Sequence, residues 1–156
     1  MIVIGVSLLA LALDQVTKAY IIQHYQLNET HPVIGGILSL TYIQNPGAAF
    51  GFMAEMPGLL RIPFFLGITF MAGFIIYAYQ RFLPVERLRA RAALGLIWGG
   101  AMGNCVDRLL FGKVIDFIEV YHKTYHWYVF NVADSCISIG IALLAFDYLS
   151  EGRSKA

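Results

Sequence analysis

The sequence predicts an all-α membrane bundle of four transmembrane helices, with a small β-containing region outside the bilayer. Composition is the first reason. Apolar residues make up 58% of the 156-residue chain and charged residues 13%, about half the roughly 25% usual for soluble domains. Mean hydropathy is +0.66. The second reason is four long apolar stretches, and the third is an uneven placement of Lys and Arg between them. The length suits one integral membrane domain over 1–156.

The first helix is expected at about 2–22. Met1 to Leu13 is apolar apart from Ser7, and the pattern runs on through Asp14, Gln15, Thr17 and Lys18. It lacks the positive start and small-residue cleavage site of a secretory leader, so it reads as a retained helix. The second is expected at 62–79, eighteen residues without a charge, long enough for a span candidate. Pro63 would then fall in its first turn, where a missing N–H does no harm. The third span is expected at 92–111 and the fourth at 131–149.

Four spans place both termini on one side, together with the loop holding Arg81, Arg87, Arg89 and Arg91 and the tail holding Arg153 and Lys155. By the positive-inside rule this side is cytoplasmic. The polar ends of helices one, three and four then all lie toward the outer face. The outer segments, about 33–56 and 112–130, are more than loops. Leu38-Ser39-Leu40-Thr41-Tyr42 alternates as a half-buried strand does. Asn45-Pro46-Gly47 reads as a turn, and 114–121 is rich in β-branched and aromatic residues. Open sheet edges are not tolerated in hydrocarbon, so such a sheet belongs at the interface. Tyr121, Tyr125, Trp127 and Tyr128 suit an aromatic belt there.

Within this framework Asp116 and Asp134 stand out, each beside an apolar run and without a basic residue at helical spacing. A carboxylate at membrane depth costs about 2.5–3.5 kcal/mol on insertion scales and usually marks function. Two carboxylates a few ångströms apart cannot easily both ionise, so one keeps a proton near neutral pH. The ionised member can take a proton from water while the protonated one polarises a scissile carbonyl. Neither a metal nor another cofactor is needed. Asn104 shares a helix face with Asp107 and Arg108, and Asn131 shares one with Asp134. These amides are candidates to orient the carboxylates or bind substrate backbone. Gly99, Gly100 and Gly103 provide the small-residue spacing that lets another helix approach.

Blander readings exist for several groups. Asp14 and Lys18, four apart, can satisfy each other. Asp107 and Arg108 suit helix-to-helix glue, Arg108 also suiting an anionic partner. Cys105 and Cys136 form no CxxC motif and read as small packing residues. His122 and His126 are too weak a pattern to argue for zinc. No basic patch suggests nucleic acid. Two other functions fit membrane carboxylates: an ion-coupled transporter, whose acids would be spread along a path, and an assembly factor held together by polar glue.

The polar stretches, taken in order, closely resemble the signal peptidase II family. The matching runs are Asp14-Gln15-Val16-Thr17-Lys18, Asn45-Pro46-Gly47-Ala48-Ala49-Phe50, Gly99 through Arg108, Val114-Ile115-Asp116-Phe117 and Phe130-Asn131-Val132-Ala133-Asp134. The resemblance implies that Asp116 and Asp134 are the catalytic pair, with Asp14, Asn45, Asn104, Arg108 and Asn131 supporting the substrate. It implies an extracytoplasmic β-cradle built from segments near 38–52 and 114–121, and an outer segment (part of 53–60 or 23–34) that moves over the site. It implies a bacterial inner-membrane enzyme, the topology puts its active site toward the outer face, and a monomer is expected. Its substrates would be diacylglyceryl-modified prolipoproteins, cut just before the lipidated cysteine, and globomycin-type cyclic peptides would inhibit it. The lipid anchor of such a substrate would hold the bond at the interface, turning a dilute encounter into a positioned one.

Overall fold

The computed structural model describes residues 1–47, 52–122 and 125–154. Four helices dominate: α1 (Ile2–His24), α2 (Gly58–Phe82), α3 (Leu88–Phe111) and α4 (Val132–Ser154). Between them run β1 (Thr30–Ile34), β2 (Leu38–Asn45), β3 (Val114–His122) and the short β4 (Tyr125–His126), forming an antiparallel sheet in that order. Ala48, Ala49 and Phe50 of the Asn-Pro-Gly motif, and Lys155 of the tail, lie outside the described residues.

Burial is inverted relative to a soluble bundle. Large apolar side chains such as Leu8, Val16, Phe70, Phe74 and Phe146 are more than half exposed, while Asp14, Lys18, Asp107 and Asn131 are almost fully buried. This is the pattern of a bundle whose outer surface meets lipid and whose interior carries the polar groups. Helices α1 and α2 and residues Val132–Ser150 of α4 are each long and apolar enough to cross a membrane. Helix α3 is equally long but more polar, with Asn104, Asp107 and Arg108 in its last two turns.

Helix α3 is the central post, packed against α1, α2 and α4. Close approach to α1 follows from Gly95, Gly99 and Gly103. A Cβ on Gly95 would lie 2.7 Å from Val6 Cβ, and one on Gly99 2.7 Å from Ala10 Cβ. At Gly103 a Cβ would collide with the Asp14 carboxylate. The glycine stripe thus brings the backbones together at two levels and, at the third, makes room for a buried charge. Gly112 ends α3 at φ 69°, a left-handed cap that glycine adopts without strain.

Two apolar clusters fix the ends. Val3, Ile76, Leu83, Ala90 and Leu94 join α1, α2 and α3 near the N-terminus of α1. Ile21, Tyr42, Ile115 and Phe117 join the far end of α1 to the sheet. The sheet has two strands beyond expectation, the short β4 and β1, every residue of which is exposed. Helix α2 begins at Gly58, with Pro57 as its N-cap, so Pro63 lies inside the helix and not in its first turn. There the proline ring removes the bond to the Leu59 carbonyl, and Leu59 is 86% exposed near the helix start. The missed first turn contains Arg61, whose guanidinium turns back to donate to the carbonyls of Ala54 (3.0 Å) and Met56 (3.2 Å).

Candidate active site

Asp116 and Asp134 reach one place by different routes. Asp116 lies on β3 opposite Ile43 of β2. Its strand is buried on both faces from Val114 to Phe117, because α1 and α3 cover it. The chain then turns back so that Phe130 pairs with Ile118. The Phe130 carbonyl accepts the N–H groups of Phe117 (3.0 Å) and Ile118 (2.7 Å). That pairing sets Asn131, and with it the start of α4, beside Asp116.

Asn131 immediately precedes α4 and caps it. Its Oδ1 accepts the Asp134 N–H at 2.9 Å, and Asp134 Oδ2 accepts the Asn131 N–H at 3.3 Å. This reciprocal arrangement is a capping box, so Asp134 is held by the helix it helps to begin. The Asn131 amide nitrogen also donates to Asp116 Oδ1 (2.7 Å), the Ile115 carbonyl (3.2 Å) and Asn104 Oδ1 (3.1 Å). Asn104 in turn donates to Asp134 Oδ1 at 2.8 Å. The two carboxylates are therefore joined through two side-chain amides.

The other oxygen of Asp116 accepts from Asn45 Nδ2 at 3.0 Å. Asn45 Oδ1 accepts the Gly47 N–H (3.0 Å), closing the turn that follows β2. Arg108 donates to the Gly47 carbonyl (3.0 Å) and to the Asn104 carbonyl (3.2 Å), and lies 4.3 Å above the Phe65 ring. Its buried Nε–H has no partner among the described residues. Asp116 is only 3% exposed. Burial, and next the neighbouring Asp134 carboxylate, push its pKa from 3.8 up to about 7, against the opposing effects of Asn45, Asn131 and Lys18.

These groups border a cavity of about 820 Å³ between α2, α3 and α4, whose lining includes Asn45, Asn104, Arg108, Asp116 and Asp134. Apolar and small residues complete it, among them Phe65, Ile68, Ala72, Ala101 and Ile139. The hydroxyl residues Thr69, Ser135 and Ser138 also line it. Asp14 and Asn131 do not line the cavity. Asp14 is fully buried, accepting the Ala133 N–H at 2.8 Å and pairing with Lys18 at 2.8 Å. Of the seven site candidates, five face the cavity and two stand behind its wall.

Sequence reasoning left Lys18, Gln15 and Asp107 out of the site. Lys18 also pairs with Asp107 at 2.8 Å and donates to Asn104 Oδ1 at 3.0 Å. Gln15 donates to Asp14 (3.1 Å), Asp107 (3.0 Å) and the Gly103 carbonyl (3.2 Å). The i,i+4 spacing of Asp14 and Lys18, the face Asp107 shares with Asn104 and the matching polar runs were the signals for this cluster, and they pointed to helix packing. Cys105 is buried and Cys136 partly buried, both free thiols. Among the described residues, no three His, Cys, Asp or Glu side chains are grouped as a metal would require.

Comparison with known proteins identifies the family. Residues 6–150 match the family described as signal peptidase (SPase) II. A lipoprotein signal peptidase of Syntrophus aciditrophicus is 47% identical over 148 residues, spanning 95% of this chain and 92% of its own. One from Geobacter sulfurreducens is 48% identical over 152 residues, spanning 97% and 94%. A solved structure of a bacterial membrane enzyme superposes with a TM-score of 0.82 at 31% identity, covering 99% of this chain and 91% of that one. Another bacterial membrane enzyme superposes with a TM-score of 0.78 at 33% identity, covering 94% and 92%. With its polar motifs, helical bundle and these relatives in agreement, the chain belongs to the signal peptidase II family of peptidases.

Proposed function

We propose that the chain is an aspartic endopeptidase of the bacterial inner membrane, which removes signal peptides from diacylglyceryl-modified prolipoproteins by cutting just before the lipidated cysteine. One observation carries the reading: Asp116 and Asp134 are tied together by the amides of Asn104 and Asn131 on the wall of a largely apolar cavity. In the proposed reaction Asp134 takes a proton from the attacking water. Asp116, whose raised pKa lets it hold a proton near neutral pH, donates a hydrogen bond to the scissile carbonyl and later helps protonate the departing amine. Arg108 and Asn45 hold the substrate backbone. The signal helix lies in the apolar part of the cavity, and the acyl chains of the anchor remain with membrane lipid.

The reading includes four crossings, α3 being added to the three helices apolar enough on their own. Its polar end is matched by α1, α4 and the sheet, so the cost of those groups in lipid is avoided. Both termini are cytoplasmic, the sheet serves as an outer cradle and the working unit is a monomer. An outer segment, part of 53–60 or 23–34, moves over the site. Clustering of the acids at one end of the bundle favours hydrolysis over transport, which needs carboxylates spaced along a path.

Separate Asp116→Asn and Asp134→Asn variants, assayed on a lipidated preprotein in nanodiscs, are expected to lose about a thousandfold in rate. Near-normal cleavage by either folded variant would remove the pair from the mechanism. A reporter fused after Ala156 that proved to be outside the cytoplasm would overturn the topology.

A further inference from the structure

We propose that Lys18 is a positioning residue for the aspartate pair: it fixes the amide of Asn104 so that the N–H₂ group, and not the carbonyl oxygen, is presented to Asp134. The inference rests on the catalytic reading of Asp116 and Asp134. Lys18 is 2% exposed, and its ammonium lies within bonding distance of three acceptors: Asp14 and Asp107 at 2.8 Å and Asn104 Oδ1 at 3.0 Å. An ammonium has three donors and no acceptor, so the group facing it from Asn104 must be the oxygen. The amide orientation is thus set by chemistry. Asp134 consequently meets a donor at 2.8 Å and serves as the hydrogen-bond acceptor of the pair.

Asn131 cannot maintain this orientation by itself. Its amide nitrogen has two hydrogens and three acceptors within reach: Asn104 Oδ1, the Ile115 carbonyl and Asp116 Oδ1. Without Lys18, the Asn104 oxygen keeps only its share of the Asn131 N–H₂ group, and the amide is held against Asp134 less firmly.

The same cluster holds the backbone beside each aspartate. Asp107 Oδ2 accepts the N–H of Ile115, which adjoins Asp116, at 3.0 Å. Asp14 Oδ1 accepts the N–H of Ala133, which adjoins Asp134. Lys18 bridges these two carboxylates where they meet and offsets one of their two charges, so it registers β3 against α4 as well as orienting the amide. The charged groups around it are Asp14 on α1 and Asp107 on α3, with Asp134 on α4 and Asp116 on β3 beyond the intervening amides.

The test is Lys18→Met, which keeps chain length and removes the ammonium, assayed with a lipidated preprotein in nanodiscs from pH 5 to 9. Turnover (kcat) is expected to fall by about two orders of magnitude, with KM within about twofold. The alkaline limb of the rate profile should move to higher pH, because a cation that favours ionisation of Asp116 is gone. In an Asn104→Ala background the same substitution should cost less than a tenth as much. Equal effects in both backgrounds, or a rise in KM at constant kcat, would overturn the proposal. If Lys18→Met does not fold, Lys18→Met/Asp107→Asn keeps the cluster's net charge and is expected to show the same loss of turnover. Full activity in that double variant would reduce Lys18 to a counter-charge and reject the idea. Activity retained by Asp116→Asn would defeat the catalytic pair itself. An inactive Asp116→Asn beside a normal Lys18→Met would defeat only the role of Lys18.

Discussion

Raising the pH through about 7 is expected to switch cleavage off, and the size of the effect follows from the position of Asp116. The side chain is 3% exposed, and burial followed by the Asp134 carboxylate lifts its pKa from 3.8 to about 7. At 1.36 kcal/mol per pH unit, this corresponds to about 4 kcal/mol between the charged and neutral forms. Below about 7 Asp116 keeps the proton that the proposed mechanism requires, and above it kcat/KM should fall about tenfold per pH unit. Stability is linked with a definite sign. The unfolded chain gives up this proton near 3.8 and the folded chain keeps it to about 7, so the folded state binds more protons across that window. The contribution of this group is therefore full below about pH 4 and is lost as the pH rises to about 7. Asp116→Asn removes the loss. Relative to the parent, that variant should gain thermal stability between pH 5 and pH 8, offset in part because its N–H₂ must face either Asn45 or Asn131. Initial rates in nanodiscs and thermal unfolding in detergent, both across pH 5–9, measure the two effects. A flat rate from pH 6 to 9, or a pH-independent stability difference between Asp116→Asn and the parent, would refute the reasoning.

Asn131 caps α4, and the proposed mechanism gives it a second, separable task in orienting the aspartates. Asn131→Ala should lose about 1 kcal/mol of stability with the cap and cleave about 100-fold more slowly, whereas Asn131→Ser should keep most of the stability and still lose the rate, as thermal unfolding and cleavage assays would report. Gly99→Ala would place a methyl 2.7 Å from Ala10 Cβ and should cost about 1–3 kcal/mol. Gly5→Ala meets nothing within 4 Å and should be neutral or slightly stabilising in the same unfolding experiment. Asp147→Ala breaks a pair with Arg87 whose side chains are 15% and 21% exposed. It should cost about 1 kcal/mol and leave the cleavage rate unchanged.

Much of the helical framework was legible because lipid-facing runs have to be apolar. The ends were less so, since charges near helix starts found local partners. Arg61 turns back onto the loop before α2, and Arg91 donates to the carbonyls of Leu83 (2.6 Å) and Pro84 (3.2 Å). Those charges concealed the first turns of α2 and α3 from a search for uncharged runs. Strand β1 was illegible for another reason. Thr30-His31-Pro32-Val33-Ile34 carries a proline and no alternation of burial, both tolerated in a strand paired on one side only. Asp116 and Asp134 were conspicuous by charge alone, whereas the bond from Lys18 to Asn104 depends on how far α1 slides along α3. That distance is set by glycines spaced four apart, and local periodicity reveals only that a close approach is possible.

The capping box on α4 gives the molecule a built-in gauge of its own integrity. Asp134 cannot leave its place without releasing the first turn of α4, and that turn cannot fray without carrying Asp134 away. The amide protons of Asn131 and Asp134, each bonded to the other residue's side chain, should therefore exchange with solvent deuterium only when the pair comes apart. Their protection would report the fraction of assembled sites in a sample with no substrate present, and would distinguish an enzyme slowed by chemistry from one whose site is intermittently dismantled.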